Sequence, residues 1–76
     1  MKHINKAELR HGAYYEGECR NATIARWNAV TNRFYYWRYK FGYNIIDDIK
    51  CPEDEEVYDV FYPHREIDVV EREIRF

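Results

Sequence analysis

Residues 33–40 read Arg-Phe-Tyr-Tyr-Trp-Arg-Tyr-Lys, five aromatic and three basic residues in an unbroken run. Aromatic runs of this length read as a β-strand, and a strand sends alternate residues to opposite faces. Arg33, Tyr35, Trp37 and Tyr39, continuing to Phe41, then share one face, which is the expected core face. Phe34, Tyr36, Arg38 and Lys40 share the other, where aromatic planes beside fixed positive charge suit a planar, anionic partner.

Outward from this strand the signals are short and regularly spaced, as in a small all-β domain. Upstream, residues 22–28 form a second strand, joined to the aromatic one by Ala29-Val30-Thr31-Asn32. Asn tolerates the left-handed conformation that such a hairpin loop needs. Further upstream, His11-Gly12 marks a turn, and Ala13–Cys19 reads as the first strand. Gly17 inside it signals a bulge or a close backbone approach. A helical turn fits residues 5–9. Downstream, Gly42 permits a reversal, residues 43–50 form a fourth strand stopped by Pro52, and residues 53–56 form an acidic loop. Residues 57–62 form a fifth strand closed by Pro63. The tail, 64–76, carries a helical spacing at Ile67, Val70 and Ile74, but its β-branched residues and the alternation at 73–76 favour an extended segment. The expected fold is all-β: a five-stranded SH3-like barrel or rolled antiparallel sheet over about residues 9–62, with a tail at 63–76, in one domain. Its expected core is Tyr15, Ile24 or Trp27, Tyr35, Trp37, Tyr39, Ile46, Ile49, Val60 and Phe61.

Seventy-six residues make one domain at most. A core of this size supplies roughly 3–5 kcal/mol, and the 18% aromatic content offsets the short length. Charged residues are 34% of the chain, but the aromatics argue against a disordered tail. No apolar run approaches the roughly 20 residues that span a bilayer, so no membrane partner is expected. Residues 1–6 lack the apolar core of a secretory signal. The expectation is a cytoplasmic protein with Cys19 and Cys51 reduced.

The net charge of −2 hides a division. Residues 1–45 hold eight Lys/Arg and three Asp/Glu, a net of +5, whereas residues 46–76 hold four and eleven, a net of −7. Such asymmetry points to a charged partner for one half. Equally, the halves pair with each other, within one fold or across a homodimer.

The stretches Ala7–Tyr15, Ile24–Trp27, Phe34–Tyr36 and Phe41-Gly42 together resemble the layout of SH3-like and Tudor-like barrels. That resemblance implies a glycine-turn-strand opening, an outward basic-aromatic strand and an aromatic third strand ending near a glycine. Residues 19–28, Cys-Arg-Asn-Ala-Thr-Ile-Ala-Arg-Trp-Asn, are similar to short uncharacterised phage and mobile-element proteins, a likeness that implies no established activity.

The candidate ligand-binding set for nucleic acid or another anion is Arg20, Arg26, Arg33, Tyr36, Arg38 and Lys40. Single strands are held by backbone electrostatics and by base stacking, worth about 1–3 kcal/mol per base. If Trp27 is in the core, Arg26 points outward and is expected beside Tyr36 and Arg38. The chain lacks the strongly basic character of a dedicated nucleic-acid binder. A second reading is an aromatic cage for a methylated ammonium, from Tyr14, Tyr15, Trp27, Tyr36, Tyr43 and Tyr58. A third is a partner-binding acidic region, chiefly Asp47, Asp48, Asp54, Glu55 and Glu56, with Glu53 and Asp59 alongside, which suits a protein-interaction module or inhibitor. His11, Cys19, Cys51 and His64 lack the close pairs of a structural zinc site, so no metal is expected. The sequence contains no phosphate loop, serine elbow or zincin motif. The expectation is a non-enzymatic binding module without a cofactor. Its first reading is a nucleic-acid or nucleotide binder, and its alternative is a protein-interaction module using the acidic region or an aromatic edge.

Overall fold

The computed structural model describes residues 2–54, 59–68 and 70–76. The chain is all-β: five antiparallel strands in one sheet. They are β1 (Tyr14–Glu18), β2 (Ile24–Asn28), β3 (Arg33–Lys40), β4 (Tyr43–Ile49) and β5 (Tyr62–Ile67), in the order β4-β3-β2-β1-β5. Two short 3-10 turns, Lys6–Glu8 and Pro52–Asp54, flank the sheet.

The first four strands are a meander, and local sequence sets each reversal. At the β2–β3 connection the Asn28 side-chain oxygen accepts the backbone N–H groups of Val30 and Thr31, at 2.8 and 3.1 Å. Asn32 takes the left-handed conformation at φ 63°. At the β3–β4 connection, Lys40 pairs with Tyr43, leaving Phe41 and Gly42 as a two-residue turn, both with positive φ.

The fifth strand lies further along than the sequence suggests. Residues 57 and 58 of the expected 57–62 strand fall outside the described residues. Val60 makes one parallel bridge to Lys50, and the regular strand is Tyr62–Ile67, with Pro63 inside it rather than after it. Pro63 is tolerated because β5 is an edge strand, where a missing N–H costs no ladder bond. Of the tail, residues 64–67 are accordingly strand, and 70–76 carry no helix. Along β1 the register slips between Glu16 and Gly17, leaving His64 as an extra residue. A Cβ at Gly17 would collide with the Tyr62 carbonyl oxygen, so this glycine provides both the bulge and the close approach.

The core corrects the expected faces of the aromatic strand. Phe34 and Tyr36 are 0% and 3% exposed and sit inside with Tyr15, Ala25, Trp27, Ile49, Cys51 and Phe61. Phe34 is its centre, with ring centroids 4.8 Å from Trp27 and 4.9 Å from Phe61. Tyr35, Trp37 and Tyr39 lie on the opposite face; Ile24 and Ile46 are half-buried. The physical reason is register. Four residues separate β2 from β3, so Asn28 faces Arg33, Trp27 faces Phe34 and Arg26 faces Tyr35. With Trp27 inside, Phe34 and Tyr36 follow it. Val60 and Phe61 are buried as expected, and Phe61 N–H bonds to the Lys50 carbonyl, drawing the pre-β5 segment against the end of β4.

Both faces of β3 are covered, which explains its unbroken aromatic character. Segment 70–76 crosses the outer face, burying Ile74 against it. The Tyr14 hydroxyl accepts the Ile74 N–H at 2.8 Å, Arg26 donates to the Ile74 carbonyl at 2.7 Å, and the Trp37 indole donates to the Glu73 carbonyl at 3.1 Å.

Candidate functional site

Three surfaces contain the residues singled out above. The first is a cleft of about 640 Å³ between β3, β4 and the β1–β2 connection. Arg20, Arg33, Tyr36 and Arg38 line it together with Asp47 and Asp48. Four of the six anion-binding candidates thus meet three residues of the acidic region, Asp47, Asp48 and Asp59, in one place. Their charges are largely spent on each other: Arg38 bonds Asp47 at 3.0 Å and Arg33 bonds Asp48 at 3.2 Å. The hydrogen bond to Asp47 pushes Arg38 further above its ordinary range. Burial raises the Tyr36 hydroxyl above 10.0, opposed by a hydrogen bond with Asn21 and reinforced by the nearby Asp47 carboxylate. Arg20 is exposed, and among the described residues no hydrogen bond or ion pair holds it.

The division of charge along the chain reappears as pairing across it. Besides these two pairs, Arg10 meets Glu66 at 3.3 Å and Arg65 meets Glu16 at 2.7 Å. Three of the four set a base of the first half against an acid of the second, and Arg65–Glu16 runs the other way. They are solvent-accessible, so each contributes only about 0–1 kcal/mol; their larger effect is to remove the uncompensated basic face expected of β3.

The second surface is the β3–β4 hairpin, which runs beyond the core. Tyr39, Phe41 and Tyr43 are 71%, 87% and 72% exposed, with Ile45 beside them. Lys40 lies over the Phe41 ring at 5.4 Å. No acidic residue occurs from Tyr39 to Ile46. Phe41 holds φ 54°, a conformation that is a genuine outlier for a bulky residue. Two-residue turns of this kind favour Asn-Gly. Sequence reasoning placed Tyr39 and Phe41 in the core and so missed this surface. The signal was Gly42: a tight reversal there leaves no chain to cover its neighbours.

The third surface is the outer face of β1–β3. Arg26 belongs here and not beside Tyr36 and Arg38, because an even-numbered loop puts it opposite Tyr35. Its guanidinium bonds the Gly12 and Ile74 carbonyls and lies 5.1 Å from the Tyr14 ring centroid and 4.8 Å from that of Phe76.

The remaining candidates are dispersed. The proposed cage does not assemble: Tyr15, Trp27 and Tyr36 are core, Tyr14 is on the outer face, Tyr43 is on the hairpin, and Tyr58 lies outside the described residues. Glu55 and Glu56 of the acidic loop, and the Asp54 side chain, also lie outside the described residues. Glu53 is tied to the fold. Burial would raise its carboxyl, but the Lys6 N–H and the Cys51 thiol that it accepts hold it below its ordinary value. Neither Cys19 nor Cys51 forms a disulfide. No three of His11, Cys19, Cys51 and His64 gather; the His11 ring instead accepts the Ala29 N–H. Among the described residues no helix is long and apolar enough to cross a membrane. No family model matches the chain, and neither a curated protein nor a solved structure matches it significantly.

Proposed function

We propose that the chain is a non-enzymatic protein-interaction module that holds its partner through the β3–β4 hairpin. The observation that carries this reading is the exposure of Tyr39, Phe41 and Tyr43 on one projecting hairpin, with Phe41 in a left-handed conformation. Aromatic residues are the commonest anchors of protein interfaces. Non-glycine residues in the left-handed region cost about 1–3 kcal/mol and cluster at functional sites. Lys40 and the absence of acids in residues 39–46 favour a partner whose pocket is apolar and whose rim is acidic. The test is affinity capture with wild type, Phe41→Ala and Tyr43→Ala. A partner lost with both hairpin variants and retained by Arg20→Ala supports the reading. A partner retained by both hairpin variants refutes it.

A second reading is supported by the cleft: Arg20, unpartnered among the described residues, together with the Tyr36 hydroxyl and Arg38 suits a nucleotide or single-stranded nucleic acid. Anisotropy titration with labelled DNA and RNA at low and physiological salt tests it. Backbone-driven binding weakens steeply with salt, so salt-insensitive binding, or no loss with Arg20→Ala, sinks this reading.

A further inference from the structure

The outer face of β1–β3 serves the main chain of the segment lying on it. Three polar side chains from three strands address consecutive peptide groups. The Tyr14 hydroxyl takes the Ile74 N–H, Arg26 donates to the Ile74 carbonyl, and the Trp37 indole donates to the Glu73 carbonyl. Two side chains of the segment are read as well. Ile74 is 2% exposed and lies outside the main core cluster, so it fills a hollow of its own. Two residues on, the Phe76 ring lies 5.2 Å from Tyr35 and 5.8 Å from His11, with the Arg26 guanidinium over it. Arg72 stacks on Trp37 at 3.7 Å. Main-chain bonds for affinity and pockets at alternate positions for selectivity are how grooves recognise extended peptides.

The resident segment does not fill the groove. A cavity of about 580 Å³ remains between it and the sheet, bounded by Ile24, Trp37, Ile67, Val70 and Ile74 among others. Residues 70–76 carry no regular secondary structure. Their grip rests on one buried side chain, the ring of Phe76 with its aromatic and Arg26 contacts, the Arg72–Trp37 stack and a few hydrogen bonds, most of it solvent-exposed. Segments with so few buried contacts open at low cost.

We infer that this face is a receptor groove for an extended peptide segment of a partner protein, one carrying an aliphatic residue followed two positions later by an aromatic one, and that residues 72–76 occupy it as a resident competitor. The tethered occupant blocks the groove by its high effective concentration. A partner segment enters in proportion to the fraction of molecules whose own segment is released. The groove is separate from the hairpin, and the inference does not depend on what the hairpin binds.

The test uses the full chain and a fluorescein-labelled peptide with the sequence of residues 71–76, read by anisotropy. Phe76→Ala and Ile74→Ala weaken the resident segment without altering the groove. Phe76 is half-exposed, so its variant keeps the fold if Ile74→Ala does not. The labelled peptide is expected to bind both folded variants about tenfold more tightly than wild type, as release of the competitor requires. A peptide with its Ile replaced by Ala is expected not to bind. Equal binding to wild type and folded Phe76→Ala, or binding indifferent to the peptide's Ile, overturns the inference. Concentration-dependent dimerisation of the full chain that disappears with Ile74→Ala would assign the groove to a second copy's segment and overturn the partner assigned here.

Discussion

Arg26 and Tyr35 stand directly opposite each other on β2 and β3, on the face away from the core, with Phe76 packed against both. This relationship fixes the sense of the whole sheet. It turns Trp27, Phe34 and Tyr36 inward and makes the outer face a second, smaller buried surface closed by residues 70–76.

Phe34 is at the centre of the core, and truncating a buried Phe costs about 3–5 kcal/mol. That equals the roughly 3–5 kcal/mol that a domain of this size supplies. Phe34→Ala is therefore expected to unfold the protein, whereas Tyr39→Ala on the same strand stays within about 0.5 kcal/mol of wild type. Circular dichroism with urea denaturation separates them; equal midpoints would contradict the face assignment.

The hairpin turn predicts a conflict between stability and function. Phe41 and Gly42 hold φ 54° and 81°, the signature of a turn that prefers Asn-Gly. Phe41→Asn is expected to raise stability by about 0.5–1 kcal/mol, typical of compatible backbone substitutions, while abolishing partner capture. A variant that is less stable than wild type would show that the exposed ring contributes to the fold.

Gly17 and Gly42 distinguish steric from conformational demand. A methyl group at Gly17 meets the Tyr62 backbone, which cannot swing away, while one at Gly42 meets nothing within 4 Å. Gly17→Ala is expected to cost about 1–3 kcal/mol or more through overpacking. Gly42→Ala costs about 1–2 kcal/mol, from positive φ alone. Hydrogen exchange then shows loosening of β5 only in the Gly17 variant.

Tyr15 and Tyr36 predict the alkaline limit. Burial raises both hydroxyls above 10.0; at Tyr15 the Arg10 N–H opposes this and Glu66 adds to it. Because the folded state holds these protons more tightly, the stabilisation is complete below about pH 10 and is lost as pH rises through the folded values. The urea midpoint is expected to fall above that pH, and less steeply in Tyr36→Phe. An unchanged pH profile in Tyr36→Phe would remove Tyr36 from the account.

Asp47 and Asp48 compensate Arg38 and Arg33. Asp47→Asn with Asp48→Asn adds two units of positive charge to the cleft while preserving side-chain size. Affinity for single-stranded DNA is expected to rise, with a steeper salt slope. Unchanged affinity would show that the cleft does not bind the phosphate backbone.

Much of the architecture was legible in the residues because local chemistry decides it. Asn28 and Asn32 define one hairpin loop and Gly42 the other, and Gly17 marks the bulge. The aromatic density of residues 33–40 makes a strand and nothing else. Alternation put Trp27 and Arg26 on opposite faces but left open whether Ile24 or Trp27 was core, which the structure settles for Trp27. Which side of β3 is core did not, because both of its faces are covered and alternation carries no contrast when every position is aromatic or long and cationic. Loop length decided it: four residues pair odd-numbered positions with even-numbered ones, so Arg26 joins Tyr35 and not Tyr36. The partnership of Arg33 and Arg38 with two aspartates and the hollow filled by Ile74 belong to the tertiary structure alone. The ion pairs depend on the β3–β4 register and the Ile74 hollow on a segment 48–60 residues away, and both are set by how the strands and the tail pack rather than by any residue pattern.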